Sequence, residues 1–155
     1  LDVSVQAQIL NLLTSLQHRL DLSYLFITND LSVVEYFADY VYIMYLGEIV
    51  EEGPTEGIYA SPQHPYTQAL LKAAPRIDSS SGIPKLQLHG SVPSATQPPS
   101  GCRFHTRCPI AMDVCSRESP SARNVKNSRV RCHARKPDEE NETNDAGTAD
   151  GRETH

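Results

Sequence analysis

Residues 24–31 read Tyr24-Leu25-Phe26-Ile27-Thr28-Asn29-Asp30-Leu31. Four apolar residues in an unbroken run predict a short strand covered on both faces, as in the middle of a parallel sheet. Thr28, Asn29 and Asp30 make a polar loop after it. Leu31, Val33, Val34, Tyr36, Phe37 and Ala38, with Ser32 and Glu35 between them, then predict an amphipathic helix. On the other side of the run, Val5, Ile9, Leu12, Leu13, Leu16 and Leu20 share one helical face, with Asp2 or Ser4 as the cap and Asp21 as the break. The arrangement is of the βα type, with a loop at the carboxyl end of a buried strand, where α/β sheets place ligands.

Downstream, Tyr40 to Leu46 reads as a second buried-type strand, with Tyr40, Tyr42 and Tyr45 as packing residues. Leu46-Gly47-Glu48 reads as a tight turn into a second, antiparallel strand through Gly53. Pro54 sits where proline is tolerated, in the first turn of a short helix over Thr55 to Tyr59. Residues 61–65 form a loop, and Tyr66 to Ala74 a last helix stopped by Pro75. From Arg76 to Ser100 the chain reads as a linker with one weak strand candidate, Lys85 to His89. Residues 102–132 hold too few apolar residues to fold by burial alone and need a staple. The tail from residue 137 is acidic and poor in hydrophobic residues, the composition of a disordered segment.

Charge divides the chain in three. Residues 1–60 hold nine acids against Arg19 alone, residues 101–136 nine Arg and Lys against Asp113 and Glu118, and residues 138–155 seven acids against Arg152. A basic block invites a polyanion reading. Here no aromatic residues interleave with the cations to stack on bases, and in a cysteine-rich segment such cations can offset metal-bound thiolates. No nucleic-acid partner is expected. No apolar run approaches the ~20 residues of a membrane span, so any membrane role runs through a partner.

Four ordered blocks, the last made of two stretches, carry a family resemblance. Leu1-Asp2-Val3-Ser4-Val5-Gln6-Ala7-Gln8-Ile9-Leu10 resembles the D-loop that follows the Walker B acid of ABC ATPases, and residues 24–31 resemble the switch motif that normally ends His-Asp-Leu. Met44 to Gly53 looks like the hairpin closing that domain. His64-Pro65-Tyr66-Thr67-Gln68-Ala69-Leu70-Leu71 and Pro98-Pro99-Ser100-Gly101-Cys102-Arg103-Phe104-His105-Thr106-Arg107-Cys108-Pro109 are similar to the C-terminal extension of the peptide-importing branch.

The chain thus resembles the ATP-binding subunit of the oligopeptide/dipeptide (peptide/nickel) ABC importer family. The resemblance implies an α/β fold: the distal part of an ABC-type nucleotide-binding domain (1–60), a small irregular Cys-rich extension with a four-Cys site (61–136), and the disordered acidic tail (137–155). It also implies ATP and Mg as ligands of the full-length protein and a peripheral place on the cytoplasmic face of the plasma membrane. The implied partners are a second ATPase subunit (as homo- or heterodimer), transmembrane permease subunits and, indirectly, an extracytoplasmic peptide-binding protein.

Asp2 takes the D-loop position, which in the family couples two nucleotide sites across a dimer. Asn29 takes the switch position, where histidine is expected. An amide can donate to a phosphate oxygen but carries neither charge nor proton. Both residue types also serve as ordinary helix caps. The Gly-x-x-x-x-Gly-Lys-Ser/Thr loop and the magnesium-holding acid do not occur in the sequence. The family pattern puts them before Leu1, so these residues alone are expected not to hydrolyse ATP.

Cys102, Cys108, Cys115 and Cys132 are separated by five, six and sixteen intervening residues. Zinc sites usually begin with a pair two to four apart, whereas four wider-set thiolates suit a four-iron four-sulfur cluster. Members of the family carry such a cluster on this pattern. Zinc, two disulfides and unligated thiols stay open as alternatives, with His105 and His133 as flanking, solvent-facing residues. A non-catalytic metal-binding or redox-sensing module derived from such a subunit is the rival function.

Overall fold

The computed structural model describes residues 3–73 and 90–138. Asp2, the strand candidate 85–89 and residues 139–155 of the acidic tail lie outside the described residues. The elements run α1 (Val3–Leu20), α2 (Leu31–Phe37), β1 (Tyr40–Tyr45), β2 (Glu48–Pro54), α3 (Thr55–Ala60), α4 (Pro65–Ala73), β3 (Ala122–Val125) and β4 (Ser128–Arg131). Single 3-10 turns occur at His105–Arg107 and Asp113–Ser116.

The fold is mixed helix and sheet. One four-stranded sheet, in the order β1-β2-β4-β3, has every neighbouring pair antiparallel. The β1–β2 hairpin turns at Leu46 and Gly47, both at positive φ, as the Leu-Gly-Glu sequence predicts. Glycine accepts that conformation without cost. α3 starts at Thr55, as the sequence reading has it, and runs one residue further, to Ala60, with Pro54 as its N-cap rather than in its first turn.

Three expectations are corrected. Residues 24–27 are not a strand: the run has no regular structure, with Leu25 85% and Ile27 90% exposed. A central strand exists only when neighbours on both sides complete its ladder, and the described sheet forms elsewhere, from residues 40–54 and 122–131. The run keeps the twofold alternation of a strand nonetheless. Tyr24 and Phe26 set their rings 6.1 and 5.6 Å from Phe37 of α2, while Leu25 and Ile27 point away.

β1 is covered on one face rather than two. Val41, Ile43 and Tyr45 are buried and Tyr40, Tyr42 and Met44 exposed, so of the three tyrosines only Tyr45 packs in the core.

The third correction concerns residues 122–131, which form a hairpin, with β4 laid directly against β2. Glu51 pairs with Val130 and Glu52 with Arg129. Close approach is possible because β2 has glycine where the hairpin turn docks: a Cβ on Gly53 would stand 2.7 Å from the Asn127 carbonyl. The core therefore draws on both halves of the chain. Val41, Ile43, Tyr45 and Val50 pack with Phe104, which is 1% exposed, and Val34, Ala38, Tyr66 and Leu70 close around them.

Candidate functional site

The loop of the switch motif is held by its own side chains. The Asp30 amide donates to Thr28 Oγ1 at 3.0 Å, and Asp30 Oδ1 accepts from the Ser32 amide at 3.0 Å, which makes Asp30 the N-cap of α2. Gln6 of α1 reaches Asp30 Oδ2 at 3.5 Å. Asn29, for which capping was one reading, is therefore not the cap. Its side chain is exposed at the bend between Thr28 and Asp30.

The cysteine segment is organised around backbone contacts. Gly101 has φ +67°, and a Cβ there would lie 2.4 Å from the Cys115 carbonyl. That carbonyl accepts from the Cys102 amide at 2.8 Å. Only glycine allows this crossing, which brings the segments of Cys102 and Cys115 together. All four cysteines are free thiols. Backbone N–H groups point at every sulfur: Phe104 at Cys102, Ile110 at Cys108, Met112 at Cys115 (3.5 Å), and Ala134 and Arg135 at Cys132.

Burial pushes the Cys102 thiol up to about 11. The Phe104 amide opposes the shift, and charge on the other three thiols adds to it. Burial likewise raises Cys108 and Cys132, with Arg135 working against both rises. The four sulfurs thus share one electrostatic neighbourhood. Among the described residues no group of three His, Cys, Asp or Glu side chains is placed to hold a metal ion.

His105 and His133 are each engaged with backbone instead of simply facing solvent: His105 Nδ1 lies 2.8 Å from the Cys102 carbonyl and His133 Nε2 2.9 Å from that of Glu118.

Comparison with known proteins follows the same residues. Residues 50–115 match the family described as oligopeptide/dipeptide transporter, C-terminal region. The chain is 46% identical over 133 residues to a di/tripeptide transport ATP-binding protein of Pseudomonas aeruginosa, an alignment covering 86% of this chain and 41% of that one. To a dipeptide transport ATP-binding protein of Haemophilus influenzae it is 52% identical over 120 residues, 77% of this chain and 37% of the other. The chain is thus similar, over most of its own length, to ATP-binding proteins of peptide transport. It spans about two fifths of the length of these relatives.

The stretch matched to the family's C-terminal region runs from β2 to Cys115 and holds three of the four cysteines; Cys132 arrives from beyond it, on the end of β4. Within that stretch lies the residue that sequence reasoning passed over. Glu51 is fully buried and accepts three hydrogen bonds, from the Gln63 amide (2.7 Å), the His64 amide (2.8 Å) and Ser128 Oγ (2.9 Å). Arg135, three residues after Cys132, donates to the Gln63 carbonyl at 2.7 Å. The β1–β2 hairpin and the cysteine segment are thus fastened to one loop. The only signal in the sequence was an acid in the middle of a strand, where an unpaired charge would be too costly to bury.

Proposed function

We propose that this chain is part of the ATP-binding, energy-coupling subunit of an ABC importer for oligopeptides or dipeptides. The likeness to the two transport ATP-binding proteins supports that reading. In the complete subunit, ATP and magnesium would be held by a phosphate loop and an acid that this sequence does not contain. Asp2 and Asn29 would stand at the edge facing a second ATPase subunit. Permease subunits would receive the motion at the cytoplasmic face of the membrane, and an extracytoplasmic binding protein would deliver the peptide. Among the described residues no helix is long and apolar enough to cross a membrane.

The observation that carries the site is the division of labour at the switch loop. Thr28 and Asp30 make its internal bonds, which leaves the exposed Asn29 amide to donate to a terminal phosphate. The test is ATP turnover by the intact subunit assembled with its permeases. Asn29→His, which supplies a side chain able to hold a proton, is expected to raise turnover about tenfold or more, and Asn29→Ala to lower it. Turnover equal in all three proteins would remove Asn29 from the site. The rival reading, a non-catalytic metal-binding or redox-sensing module, requires no turnover from any of them.

Cys102, Cys108, Cys115 and Cys132 are proposed to hold a four-iron four-sulfur cluster. Amide donors at Cys102, Cys108 and Cys132, and the charge of Arg135 at the last two, oppose the rise that burial imposes on these thiols, and deprotonated sulfur is the chemistry of such a ligand set. Arg107, next to Cys108, adds a buried Nε without a hydrogen-bond partner among the described residues. Bound there, the cluster would convert metal affinity into folding free energy for a segment with little core of its own. Anaerobic purification is expected to yield a brown protein with about four irons per chain. A colourless protein with stoichiometric zinc would assign the thiols to zinc instead.

A further inference from the structure

Along β4, Ser128 and Val130 are buried and Arg129 and Arg131 exposed. The same alternation carries Cys132 to the buried side, so the two arginines stand on the opposite face of the sheet from that thiol. The cation that acts on Cys108 and Cys132 is Arg135. Lys126, exposed at the β3–β4 turn, has Ser61 Oγ at 3.2 Å. Of the nine Lys and Arg between residues 101 and 136, only Arg103 and Arg129 have an acid within ion-pair distance among the described residues. This basic face is therefore short of counter-charge.

The chain carries acids towards it. The Arg135 carbonyl accepts from Arg123 Nη1 at 3.4 Å, and the Asp138 amide donates to the Asn124 carbonyl at 3.1 Å. Residues 135–138 thus run beside β3, the edge strand, whose outer backbone groups have no further strand to pair with. Asp138 also lines an open cleft of about 360 Å³ together with Glu52, Asn124, Lys126, Asn127 and Arg129. The run passes Arg123 before Asn124, which directs it to Lys126, and its next residues are Glu139 and Glu140. At about 3.3–3.6 Å per residue they suffice to reach the turn.

We propose that the face around the β3–β4 turn is a receptor for acidic chain, and that its occupant is the segment after Asp138, residues 139–155, engaged through Lys126 and Arg129. That segment holds six acids against Arg152. Exposed ion pairs are individually weak, but attachment at Asp138 gives these acids a local concentration on the order of millimolar. A polyanion from outside has to displace them, so the segment keeps the basic face from binding acidic chains at large.

The test is zero-length carbodiimide cross-linking of the intact subunit, with the links mapped by peptide mass spectrometry, and binding of a poly-glutamate probe to the same protein. The Lys126 amine is expected to link to Glu139, Glu140 or Glu142, with a yield that falls about tenfold between about 50 and about 500 mM salt, because screening shortens the reach of exposed charges. A subunit ending at Asp138, which keeps every described residue, is expected to bind poly-glutamate about tenfold more tightly than the intact one. The triple substitution Glu139→Gln, Glu140→Gln, Glu142→Gln should do the same, and it serves alone if the shortened protein does not fold. Equal poly-glutamate binding by all the proteins, or no link from Lys126 to residues 139–155, overturns the proposal. So do links found only between isotope-labelled and unlabelled copies in a mixture, which would make the segment a neighbour's ligand. Links from Lys126 to a carboxylate of a permease subunit overturn it as well, and make the face a subunit contact.

Discussion

Glu51 and Ser128, 77 positions apart in the chain, share a buried hydrogen bond of 2.9 Å. The same carboxylate takes the amides of Gln63 and His64, so a single acid on β2 ties the start of β4 to the loop before α4. A buried carboxylate is tolerable only when its acceptor sites are filled. Here the donors come from two segments, the loop before α4 and the start of β4.

Removing the acid should therefore cost more than removing any one donor. Glu51→Ala leaves two buried backbone N–H groups unpaired and the Ser128 hydroxyl with only the Val125 carbonyl at 3.4 Å, and is expected to destabilise the intact subunit by about 3–5 kcal/mol. Ser128→Ala keeps both amide bonds and should cost about 1 kcal/mol. Urea denaturation of the two variants checks the order, and a larger loss in Ser128→Ala would contradict it.

Gly101 makes a second demand of this kind. With φ +67° and the Cys115 carbonyl 2.4 Å from an added Cβ, Gly101→Ala must shift backbone rather than a flexible side chain. A loss of about 2 kcal/mol or more is expected. Under the proposal that the four thiols hold a cluster, the variant should also bind less iron, since the crossing of residues 101 and 115 brings two of the cysteine segments together. A thermal melt and an iron assay on one preparation test both statements.

How far this was legible in the sequence depends on whether local pattern or distant pairing decided the outcome. The β1–β2 hairpin, α1, α2 and α4 could be read because Leu46-Gly47 and the helical spacing of apolar residues act within a few positions. Lys126-Asn127, a two-residue link between Ala122–Val125 and Ser128–Arg131, was a local signal too; it was hidden by the low apolar content of its strands, which are stabilised by pairing with β2. The clasp of Glu51 had no local signature, because its partners come from residues 63, 64 and 128. The four cysteines could be seen as a set, but their amide donors depend on turns that spacing does not specify.

His64 gives a pH dependence with a definite sign. Burial, reinforced by the charge of Arg135, lowers its pKa from 6.5 to about 4, and its Nδ1 accepts from the Tyr66 amide at 3.1 Å. The folded protein therefore binds this proton less readily than the unfolded chain. The stability this lends is whole above pH 6.5 and is lost as the pH falls towards 4, on the order of 3 kcal/mol in total. His64→Gln removes the titration. Between pH 7 and pH 4.5 the urea midpoint of the wild type should fall further than that of the variant, and parallel curves would show that His64 is not the group responsible.

Leu25 and Ile27 pose the last question, because they are 85% and 90% exposed while their neighbours Tyr24 and Phe26 pack on Phe37. A run that alternates ring contacts on one side with bare apolar side chains on the other has the side-chain arrangement of a strand without its ladder. The relatives this chain matches are more than twice its length, so further chain is the natural cover for that face. Burying two such side chains contributes about 1.5–3 kcal/mol each. The double substitution Leu25→Thr, Ile27→Thr should then destabilise the full-length subunit by several kcal/mol and leave residues 1–155 expressed alone almost unaffected. Equal, small effects in both proteins would mean that the face stays open in the complete subunit, and that the run is not a strand there either.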